Sequence, residues 1–164
     1  MLKRIDNGIV GIEKVLTALS WMVALFVTLM IVTDVFLRFV FNHPLPASWE
    51  ISEICMPFIV FFPFAHTLRI DGHVRVSLVK DRVPEKVRLG FDLFAQIVSF
   101  LICAILTYYS WGRFWESFKM DEEILAAIRL PWWVGKGAMP IGFGMFAIRY
   151  LLQILFGLKG RNRF

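Results

Sequence analysis

Asp34 and Arg38 stand four residues apart in the otherwise apolar run IVTDVFLRFVF. On a helix that spacing puts them on one face with the acid on the N-terminal side, so the two can pair. One short turn later Trp49, Glu50 and Glu53 open a second apolar run, and Lys136 enters the last run from the same side. Three acids and two bases therefore gather at one depth of a sequence apolar enough for lipid. Ionisable groups placed there are the first to examine for function. The bland reading is structural pairing that fixes helix packing; the sharper one is contact with a partner or with a carried ion. At the opposite end, Asp92 starts the third run and Arg149 lies shortly before the end of the fourth. Arg149 either snorkels to the interface or meets Asp92.

Other chemistries lack their residues. Cys55 and Cys103 each lie inside an apolar run with no CxxC spacing, which reads as small core residues rather than a redox pair. His43, His66 and His73 are scattered across one span and two loops, so no haem-binding pair of facing histidines forms. His73 has no companions for a metal. With no Walker loop, HExxH or nucleophile elbow, the chain reads as neither an enzyme nor a cofactor protein.

The elements that position these residues are long apolar helices. The 164 residues are 58% hydrophobic and only 19% charged, with a mean hydropathy of +0.66, against about 45–50% apolar for a soluble domain. An all-α integral membrane protein follows, a single domain over residues 1–164 with spans at about 15–41, 48–68, 89–111 and 132–157. Pro57, Pro63 and Pro140 fall inside spans, where neighbours must satisfy the carbonyls they free. Lys and Arg number twelve in the N-terminal segment, the second loop and the tail, against three in the other loops. The net charge of +5 thus marks loops rather than nucleic-acid binding, and both termini are expected in the cytoplasm. Trp49, Trp111, Trp115, Trp132 and Trp133 all fall at the opposite, outer boundary.

Three segments keep two readings each. Residues 2–12 place Leu2, Ile5, Ile9 and Ile12 at helical spacing, which suits a short amphipathic helix on the inner membrane surface or an unstructured tail. A cleaved signal peptide is disfavoured, because the apolar stretch is too long and no small-residue site closes it. The loop RIDGHVRVSLVKDRVPEKVRLG is either an apolar edge on the inner leaflet or a solvated basic connector. In VGKGAMPIGFG, the small residues Gly135, Gly137, Ala138 and Gly142 allow close helix approach, within the bundle or to a second subunit.

The order of motifs resembles one family along nearly the whole chain: RFVFN with Arg38, PLPASWEISE with Trp49, Glu50 and Glu53, DGHVRVSLV with His73, then RLPWW and MPIG. It is similar to the small membrane subunit, the Q or DctQ-type subunit, of tripartite ATP-independent periplasmic (TRAP) transporters. Ser77 stands where that family commonly has an acid. The resemblance implies a scaffold role in the cytoplasmic (inner) membrane of a bacterium. A large membrane subunit would move the substrate, an organic acid such as a C4-dicarboxylate or sialic acid, driven by sodium. A periplasmic binding protein would deliver it. The apolar middle of every span agrees with a partner rather than a pump. The rival is a stand-alone multidrug-type transporter acting as a dimer. It would want an acid midway along the first span, whereas Asp34 lies near the outer end beside Arg38.

Overall fold

The computed structural model describes residues 2–70, 85–125 and 129–159. They form α1 (Leu2–Phe41), α2 (Ser48–Phe61), α3 (Phe64–Arg69), α4 (Glu85–Lys119), β1 (Glu123–Leu125), β2 (Arg129–Pro131) and α5 (Trp132–Lys159). Among the described residues, four segments are long and apolar enough to cross a membrane: Gly8–Phe41, Ser48–Arg69, Gly90–Lys119 and Trp132–Leu155. The protein is an integral membrane protein.

Three features depart from the sequence expectation. Residues 2–12 form neither a separate surface helix nor a tail but continue α1 without a break. Its 40 residues span roughly 60 Å at 1.5 Å each, about twice a bilayer's hydrocarbon core. The extension is held because its acids find partners on the bundle, described below. The third membrane segment also passes Trp111 and reaches Lys119. There Phe118 meets Trp133 edge-on at 5.2 Å, and Phe114 lies against Gly137, so tertiary contacts carry the helix past its most apolar stretch. Finally, the fold is not purely helical. β1 and β2 pair antiparallel with Ile124 opposite Leu130, and the Trp132 N–H donates to the Glu122 carbonyl at 2.9 Å. Extended backbone between two membrane helices satisfies its polar groups by pairing with itself.

The second span is interrupted. Pro63 has no N–H to offer the carbonyl of Ile59 and its ring crowds that turn, so the helix breaks between α2 and α3. Pro57 and Pro140 stay inside α2 and α5.

Helix α5 is the centre of the packing, touching α4 on one side and α2 and α3 on the other, while α1 lies against α2 and α3. Between α2, α3 and α5 an aromatic layer forms, with Phe61 and Phe143 centroids at 4.8 Å and Phe64 and Phe146 at 5.5 Å. Ala138 is fully buried. A Cβ on Gly142 would stand 2.6 Å from the Phe61 carbonyl oxygen, and one on Gly135 would stand 3.1 Å from that of Ile54. These glycines therefore set the approach of α5 to α2 inside the bundle. The outward faces of α1 and α4 expose large apolar side chains such as Met22, Leu25, Phe94 and Ile105, which suits contact with lipid or a membrane partner.

Candidate functional site

The charged groups collect at the two ends of the helices, with the aromatic layer between them. At the end holding the start of α1, four charges from three helices meet. Arg149 of α5 donates through Nη1 to Asp6 Oδ1 at 2.7 Å, and its Nε lies 3.4 Å from Glu13 Oε1. Arg69 of α3 places its Nε 3.3 Å from Glu13 Oε2 and donates through Nη2 to His66 Nδ1 at 3.0 Å. Glu13 is fully buried, and neither of its oxygens has an aligned hydrogen bond. It is held by charge alone, between two guanidinium groups. A buried carboxylate survives desolvation only with such compensation. Two acids face two bases in the cluster, which ties the extension of α1 to α3 and α5.

At the other end lie the five tryptophans named above. Here α4 closes in a Schellman turn. Asp121 adopts φ 46°, its N–H donates to the Phe118 carbonyl at 3.3 Å, and the Glu122 N–H donates to that of Ser117 at 3.0 Å. The reversal folds the Glu122 carboxylate back onto the Ser117 hydroxyl, which donates at 2.6 Å, and onto the Lys136 ammonium. These two hydrogen bonds, Lys136 first, hold the Glu122 carboxyl below the usual carboxylate range. Lys136 also lies over the Trp132 ring, 5.8 Å from its centroid. One lysine thus clasps the hairpin to the start of α5.

The structure regroups the charges singled out in the sequence. Asp34 and Arg38 lie together at 2.9 Å, and the second Asp34 oxygen accepts the Leu45 N–H at 2.7 Å, pinning the connection from α1 to α2. Lys136 engages Glu122 instead of Glu50 or Glu53. Arg149 meets Asp6 and Glu13, not the lipid interface; it is 6% exposed. Among the described residues, neither Glu50 nor Glu53 has an ion-pair partner, so the five-charge network does not form. Glu53 and Lys136 do line one cleft of about 160 Å³, together with Pro57 and Trp132. Trp49 is 80% exposed at the same rim. His73 and the basic loop around it lie outside the described residues.

Glu13 and Glu122 were missed in the sequence. A signal for Glu13 existed: Glu13, Ser20, Val27 and Asp34 are each seven residues apart, share a helix face, and are all buried. Glu122 left no comparable trace, since a turn geometry brings it to Lys136.

Comparison with known proteins agrees with this architecture. Residues 27–160 match the family model for the DctQ component of tripartite ATP-independent periplasmic transporters. The chain is also 25% identical over 162 residues to the ectoine TRAP transporter small permease protein TeaB of Halomonas elongata, covering 99% of this chain and 82% of that protein. With four membrane-length helices and a match over most of its length, the chain belongs to the DctQ component family of the TRAP transporters.

Proposed function

We propose that this protein is the small scaffold subunit of a sodium-coupled TRAP importer in a bacterial inner membrane, with both termini in the cytoplasm. It braces a large membrane subunit that carries the substrate, an organic acid delivered by a periplasmic binding protein. The ectoine named for the Halomonas relative is one cargo to test, beside C4-dicarboxylates and sialic acid. One observation carries the scaffold reading. Asp34 with Arg38, and Glu13 with Arg69 and Arg149, pair within their own ends of the bundle, and the layer between is tightly packed Phe61, Phe64, Phe143 and Gly142. Such a core supports bracing rather than conduction. Twelve basic residues against three support the orientation.

Asp34 is engaged by Arg38 and the Leu45 N–H, which leaves it poorly suited to the proton or cation relay of a stand-alone exporter. Tagging the chain in its native host and solubilising gently tests the proposal. Stoichiometric recovery of a larger multi-span protein supports it, and the binding protein associated with that complex then reports the cargo. Recovery of the chain alone, or as its own dimer, overturns it.

A further inference from the structure

At the tryptophan end, an open groove of about 390 Å³ runs between α4 and α5, lined by Tyr109, Ser110, Arg113, Trp132, Lys136 and Met139. It shares Tyr109 and Arg113 with a larger depression of about 660 Å³ along α4. We propose that this groove is a binding site for the phosphate headgroup of a phospholipid from the leaflet at that end.

The groove is lined by hydrogen-bond donors that the fold leaves unused. Arg113 follows Tyr109 by four residues and Ser110 by three, the spacings that put it beside each of them on α4, and Lys136 lines the same groove from α5. Lys136 gives one of its three N–H groups to Glu122 and keeps the rest. Arg113 has only a loose contact with Glu116, at 3.9 Å, and its side chain is 83% exposed. Its five donors are nearly all free, in the planar fork that fits phosphate oxygens. The Ser110 and Tyr109 hydroxyls add two neutral donors. Glu116 and Glu122 are the carboxylates beside these donors, and most of the Arg113 and Lys136 N–H groups stay unused next to them, so an acceptor-rich group complements the groove.

The surroundings narrow the occupant to a lipid. Trp111, Trp115 and Trp132 mark the depth at which headgroups meet acyl chains. The Met139 side chain and the Trp132 ring give the groove an apolar wall along which a glycerol backbone and acyl chain can lie. A free phosphate would leave that wall uncovered, whereas a phospholipid satisfies both halves. This inference stands independently of the transporter reading.

Native mass spectrometry of the purified full chain, loaded with phosphatidylglycerol, provides the test. Wild type should retain a lipid adduct through gentle activation. Arg113→Ala should lower retention about tenfold, the weight of a charge-assisted pair, and Arg113→Lys should restore part of it. Arg129→Ala, a similarly exposed arginine outside the groove, should change nothing. Matching melting curves for the variants would show that the fold is intact. Diacylglycerol with the same chains should bind poorly, and millimolar inorganic phosphate should not displace the lipid. Equal retention by wild type and Arg113→Ala, or equal retention of diacylglycerol, overturns the site. Displacement by inorganic phosphate overturns the lipid assignment in favour of a free anion.

Discussion

The Ser20 hydroxyl of α1 donates to the Ile59 carbonyl of α2 at 3.0 Å. That carbonyl would accept the N–H of residue 63 in an unbroken helix, and residue 63 is a proline. A side chain from a neighbouring helix thus replaces the hydrogen bond that the break removes, as a low-dielectric surrounding demands. Ser20→Ala should cost about 1 kcal/mol. In a Pro63→Ala background, where a backbone N–H returns, the same substitution should cost much less. A double-mutant cycle of unfolding in mixed micelles measures the difference, and equal costs in both backgrounds would contradict the replacement.

Removing one partner of the buried charge cluster should be far costlier. Glu13→Ala leaves Arg69 and Arg149 facing each other without their shared anion, an expected loss of about 3–5 kcal/mol. Arg38→Ala breaks a pair whose arginine is largely exposed, and the expected cost is below about 1 kcal/mol. Melting of the two variants side by side checks the ranking, which depends on burial rather than on the number of ion pairs.

The contact between α5 and α2 permits a paired test. Gly142→Ala would put a methyl 2.5 Å from the Phe61 Cβ and 2.6 Å from its carbonyl oxygen, where backbone cannot yield without moving a helix. A loss of about 1–3 kcal/mol is expected. Gly144→Ala meets only the Thr107 methyl at 3.7 Å, an ordinary contact, and should be close to neutral.

The Glu122 clasp makes stability depend on pH. Its folded carboxyl titrates below the ordinary range, so the unfolded chain binds the proton more readily. The contribution is complete above the usual carboxylate range near pH 4.3 and fades as pH falls through the lower folded value. Melting from pH 7 to pH 3 should show the loss, and Glu122→Gln should flatten this part of the profile. An unchanged slope in that variant would remove Glu122 from the account.

Glu53 has no ion-pair partner among the described residues, and its side chain is exposed. Glu53→Ala should therefore leave the isolated subunit's melting unchanged while lowering the yield of the complex with the large subunit. Altered cargo preference at an unchanged yield would contradict a bracing role.

The membrane class, the four spans and the family resemblance were legible in the amino-acid order alone. Insertion depends on the summed hydropathy of a local run, and that sum needs no knowledge of neighbours. The approach of Asp34 to Arg38 was legible for the same reason, because four residues on one helix fix two side chains on one face. Which charge meets which across the bundle was decided only in three dimensions. Lys136 turned to Glu122 because a left-handed residue at Asp121 folds the chain back, and Arg149 took Asp6 and Glu13 from the far end of the sequence. Those choices depend on helix order, approach distance and turn geometry. An isolated span carries none of that information, since every apolar face looks alike until another helix, a lipid or a partner covers it.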